Sequence, residues 1–135
     1  MRRILIITFA VVVLLGGTRA GRPLQTEPSE PVKKLMSLKL DYMKNVMQSI
    51  IEQDFATIEH YSFRMTVLLG ANDWKVIRTE EYNRHTDEFE NAVEELRDSS
   101  KHRDIDESAS AYMKTMLKCV QCHKYVSKFQ LEAEK

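Results

Sequence analysis

Pro31-Val32-Lys33-Lys34-Leu35-Met36-Ser37-Leu38-Lys39-Leu40-Asp41-Tyr42-Met43-Lys44-Asn45-Val46-Met47-Gln48-Ser49-Ile50-Ile51-Glu52-Gln53 is the stretch on which the fold turns. Val32, Met36, Leu40, Met43, Met47 and Ile50 recur at steps of three and four, the spacing of one helix face. Leu35, Val46 and Ile51 widen the stripe, and Lys33, Lys34, Asp41, Lys44 and Glu52 mostly take the other face. So broad a stripe predicts a helix packed among others in a bundle. Ser29 stands where an N-cap belongs, and Pro31 where a first turn tolerates a residue without an N–H.

Working outward, Asp54 is placed to cap a second helix from Phe55 to about Leu69. Its apolar face is Phe55, Ile58, Tyr61, Met65, Leu68 and Leu69. Gly70-Ala71-Asn72-Asp73 breaks the pattern. Thr79 opens a third helix, with Glu80 and Glu81 at its positive end and Tyr82, His85, Phe89, Ala92, Val93 and Leu96 facing inward. Ser99 to Arg103 end it. Asp104 and Glu107 have the spacing of a capping box and start a fourth helix, Ile105 to about Phe129. Ala109, Tyr112, Met113, Met116, Val120 and His123 are expected to line its inner side. No strand alternation of useful length occurs. The chain is therefore expected to be all-α, an up-down-up-down four-helix bundle over residues 31–135.

Near the end of the fourth helix stands Cys119-Val120-Gln121-Cys122-His123, which holds both cysteines of the chain. Two thiols three apart with a histidine after the second form the attachment signature of c-type haem. On a helix the two share a face, with Cβ atoms about 5–6 Å apart, suited to the two vinyl groups of one porphyrin. His123 follows as the iron ligand. A lone disulfide of this spacing usually belongs to a βαβ context, which is absent, and a zinc site needs four ligands.

A helical chain with CxxCH close to its carboxyl end, behind an export signal, resembles the cytochrome c′ family. The Leu35-Met36 neighbourhood is similar to the low-spin branch, in which a first-helix methionine is the second axial ligand. The resemblance spans the whole mature chain, its specific residues being Cys119, Cys122, His123 and Met36. It implies one covalent haem c, redox partner proteins and a homodimer as an expected state. The family's basic residue four after the histidine is Ser127 here, with Lys124 and Lys128 nearby.

Geometry also favours Met36. In an up-down-up-down bundle the start of helix 1 is level with the end of helix 4, and Met36 and His123 lie within one to two turns of those ends. Met65, near the end of helix 2, is the rival; Met43, Met47, Met113 and Met116 are read as core filler. Leu68, Leu69, Trp74, Ile77 and Tyr82 are expected to wall the haem pocket. Lys33, Lys39, Lys75 and Arg78 are candidate partners for the propionates. His85 reads as an inner, hydrogen-bonded histidine and His60 and His102 as exposed; none is taken as a ligand.

Residues 1–20 read as a secretory signal: Arg2 and Arg3, an apolar core from Ile4 to Leu15, then small residues up to Ala20. Cleavage after Ala20 would place the mature chain in the periplasm with no membrane span, and residues 21–30 form a flexible lead-in. Of 20 basic and 20 acidic residues, the signal removes Arg2, Arg3 and Arg19, leaving a net charge of −3. There is no basic stripe for nucleic acid. With His/Met ligation the expected function is a single-haem electron carrier, not an enzyme. The alternative is a five-coordinate haem protein that binds or senses NO or CO, and outside the haem class a helical protein with a redox disulfide or a bound metal.

Overall fold

The computed structural model describes residues 28–70 and 76–133. They form four helices, α1 (Glu30–Glu52), α2 (Phe55–Leu69), α3 (Glu80–His102) and α4 (Ile105–Ala133), each packed against its neighbours in chain order, with α4 returning to α1. No strand occurs among the described residues. The expected four-helix bundle is the fold found. The signal segment, most of the lead-in, Trp74 and Lys75 lie outside the described residues.

The boundaries follow local chemistry. Ser29 is the N-cap residue of α1, with Pro31 in the first turn, but its side chain makes no capping bond. Gln53, in the left-handed conformation (φ 56°), returns its N–H to the last turn and closes α1. The Asp54 carboxylate accepts from the N–H of Thr57 at 3.1 Å and starts α2 one residue later. Thr79 Oγ1 accepts from Tyr82 N–H at 3.2 Å to start α3, which Arg103 (φ 57°) ends. Asp104 accepts from Glu107 N–H at 2.9 Å. Only this half of the capping box forms, because the Glu107 carboxylate turns to His102 Nδ1, 3.4 Å away. α4 runs one turn past Phe129, there being no glycine or proline after it to stop it.

The core draws on all four helices: Met43 and Val46, Ile58, Met65 and Leu69, Tyr82, Phe89, Val93 and Leu96, Ala111 and Tyr112. Each side chain of this size contributes about 1.5–3 kcal/mol on burial. Buried hydroxyls are satisfied within their own helices, as Ser62 is by the Ile58 carbonyl and Ser108 by that of Asp104. Thr115 also reaches across, donating toward the Ala92 carbonyl of α3 at 3.1 Å. Beside it Lys114 pairs with Glu95 and Lys118 with Glu88, so α3 and α4 are joined along one flank.

The inner face of α4 is not the one the hydropathy pattern picks out. Met113, Met116 and Val120 are exposed; the buried seam is Ser108, Ala111, Tyr112 and Thr115, continued by half-buried Cys119, Cys122 and Val126. Met47 is exposed as well, so of the four methionines expected as filler only Met43 belongs to the core.

Candidate haem-attachment site

The two flanks of α4 differ. Lys114, Thr115 and Lys118 meet α3, so the opposite flank, Met113, Met116, Val120 and His123 at steps of three and four, turns toward α1. On α1, Tyr42 meets Tyr61 and Arg64 of α2, so the opposite flank, Met36, Leu40 and Met47, turns toward α4. α1 and α4 approach least of the four neighbouring pairs. Their facing flanks stay open: Leu40 is 57% and Met47 47% exposed, and Met116 and Val120 are 41% and 50% exposed. Large apolar side chains thus line an incompletely closed seam.

Cys119 and Cys122 lie at the inner edge of this seam. Both are half-buried free thiols packed against the core. Burial pushes both thiols above their usual range, and the Lys39 ammonium only partly offsets that effect. His123 is exposed and hydrogen-bonds to none of the described residues. It lines, with Cys119, Val120, Lys124, Ser127, Lys128 and Leu131, an open groove of about 590 Å³. Cys119 therefore borders both the core and the groove that holds the imidazole.

Lys39 sets the level of α1 against α4. Its side chain enters the bundle, with Nζ 4.8 Å from the centroid of Phe89 on α3 and close enough to both cysteines to interact with each. Desolvation lowers it from its ordinary 10.5 to about 8, against the opposing influence of Cys119 and Cys122. Antiparallel helices have the same rise, so one turn back from Lys39, at Met36, is level with the turn of α4 just past Cys122, at His123. Met36 is half-buried and stands apart from the core cluster, whereas Met65 is fully buried within it.

Of the expected pocket wall, Leu69 and Tyr82 are buried, Leu68 is half-buried, and Tyr82 is close enough to Cys122 for the two to interact. Sequence reasoning missed Phe89 as a neighbour of the site and misplaced Lys39, which its charge assigned to the surface. His85 is internal as expected, but not satisfied. Its Nε2 is 3.4 Å from Glu81, while its buried Nδ1 has no partner. The ring packs 5.5 Å from Tyr125, one turn past Cys122. An orphaned buried polar atom costs about 1–3 kcal/mol.

These residues fit a covalently held haem. Two thiols on one helical turn border an apolar seam, an unengaged imidazole opens beside them, and a thioether stands level on the facing helix. They do not fit zinc: among the described residues no group of three or more His, Cys, Asp or Glu could hold a metal ion. Among the described residues no helix is long and apolar enough to cross a membrane. Compared with family models, curated proteins and solved structures, the chain matches none.

Proposed function

We propose that the chain is a c-type cytochrome of the cytochrome c′ kind, exported to the periplasm, that carries single electrons between redox proteins. The observation that carries the proposal is the pentapeptide Cys119–His123 placed at the mouth of an open, apolar α1–α4 seam. Cys119 and Cys122 would hold the porphyrin through thioethers, with His123 and Met36 as the axial ligands. Bound in this way, haem supplies one-electron ferric–ferrous chemistry.

The chain's own part is to position and to shield. α3 and α4 are joined by Thr115 and two cross-helix ion pairs, so the turn bearing the thiols and His123 is fixed to a rigid pair. Leu69, Tyr82 and Phe89 keep water from the inner side. The groove beside His123 leaves the outer side open to a partner protein. No covalent change in the protein accompanies electron exchange, so an enzymatic role is not proposed.

A denaturing gel stained for haem tests the assignment. Protein exported with its full leader should stain at the mass of the chain, and the double variant Cys119→Ala/Cys122→Ala should not. Staining that survives in the double variant would overturn the proposal.

A further inference from the structure

A lysine whose head lies among apolar groups calls for a reason, because lysines ordinarily bury the stem and leave the ammonium in water. Lys39 does not follow that habit. Its Nζ sits over the Phe89 ring at 4.8 Å, beside Cys119 and Cys122, at a level where Met43, Val46 and Met65 supply an apolar core. Leucine or methionine would fill the same space without the desolvation cost. The stretch around it carries alternatives, since Lys33 and Lys34 stand on the same helix without entering the core cluster.

The position also limits what the amine can do. The thioethers form at the vinyl edge of a porphyrin, and the propionates lie on the opposite edge. A cation beside both cysteines is therefore at the wrong edge to pair with propionates, the role its charge suggests from sequence. It is instead next to the macrocycle, in a region of low dielectric where a unit charge acts over several ångströms.

We propose that Lys39 is a tuning residue: its ammonium, held inside the bundle by Phe89 and by α1, raises the electron affinity of the group attached at Cys119 and Cys122. This rests on the haem assignment above. One electron is taken from a reduced donor protein and passed to an oxidised acceptor protein, with no bond of the chain made or broken. A fixed positive charge favours the state holding the extra electron.

The test is the midpoint potential of the haem-loaded chain, with Lys39→Met to remove the charge at similar length and Lys39→Arg to retain it. Lys39→Met should shift the one-electron exchange equilibrium at least about tenfold toward the oxidised form, a fall of 59 mV or more. Lys39→Arg should stay within about twofold of the wild type, and both should keep the wild-type spin state. Should Lys39→Met yield no loaded protein, Lys39→Gln supplies the same comparison. A stained, loaded variant without the charge whose potential does not move overturns the tuning role and leaves the haem assignment standing. A change of spin state in both Lys39→Met and Lys39→Arg would make Lys39 an iron ligand, which also overturns it. A wild type without covalent haem removes both.

Discussion

Lys39 on α1 and Phe89 on α3 meet across the inside of the bundle, the Nζ 4.8 Å from the ring centroid, at the level of Cys119 and Cys122. Cation–π attraction of about 0.5–2 kcal/mol repays part of the desolvation of the ammonium. The remainder has a consequence for stability that can be measured without any bound group.

Burial lowers Lys39 from 10.5 to about 8 in the folded chain, while the unfolded chain keeps the ordinary value. Below pH 8 both states are protonated and the fold bears the full penalty. Between about pH 8 and 10.5 the folded chain has lost the proton and the unfolded chain still holds it, so this group makes stability rise with pH. Lys39→Met in the haem-free chain should therefore stabilise most below pH 8, by at most about 3 kcal/mol and less where solvent reaches the head, with the gain shrinking toward pH 10.5. Denaturant titrations of both proteins at pH 7 and pH 10 check this; an equal gain at the two values would contradict it.

Helix boundaries offer a second check. Asp54→Ala removes the acceptor of the Thr57 N–H and should cost about 1 kcal/mol, a few degrees of melting temperature. The hydrogen bonds from Thr57 hold the Asp54 carboxyl below the usual range, so this contribution should be lost as pH falls through that lowered value. Glu107→Ala should cost less than Asp54→Ala, because its carboxylate faces His102 rather than completing the capping box. Thermal melts at neutral and acid pH compare them.

Met65 and Met116 separate core from seam. Met65 is fully buried and Met116 41% exposed. Met65→Ala should cost about 2–5 kcal/mol and leave the haem spectrum of the loaded protein unchanged. Met116→Ala should stay within about 0.5 kcal/mol in the haem-free chain. A Met65→Ala protein whose spectrum changes would return Met65 to consideration as the distal ligand.

Export is checked by mass. The apolar run behind Arg2 and Arg3 predicts cleavage within a few residues of Ala20. Intact-mass spectrometry of haem-carrying protein should find the leader gone; an intact Met1 on such protein would contradict it.

Much of this fold is legible in the sequence because its signals are local. Asp54, Thr79 and Asp104 each precede a periodic run, and each caps the helix expected of it. The facing of α4 is less legible, because that helix carries two competing stripes. Met113, Met116 and Val120 are the more apolar, yet Ser108, Ala111 and Thr115 are the buried ones. Small side chains let α3 and α4 pack closely, and the hydroxyls find carbonyl acceptors at Asp104, Ala111 and Ala92. Hydropathy ranks side chains by transfer from water and does not register that satisfaction. Lys39 was misjudged for the same reason, its charge outweighing a long apolar stem and an aromatic partner fifty positions away.

The electron-carrier assignment depends on a filled distal site, so the most direct measurement is the absorption spectrum of the loaded protein, oxidised and reduced, with and without carbon monoxide, for the wild type and Met36→Ala. Met36 level with His123 across the seam predicts a wild type that is low-spin in both oxidation states and binds carbon monoxide poorly. Met36→Ala should gain a high-spin component and admit carbon monoxide. A wild type that is already five-coordinate and takes up carbon monoxide readily would contradict the account and make gas binding the function.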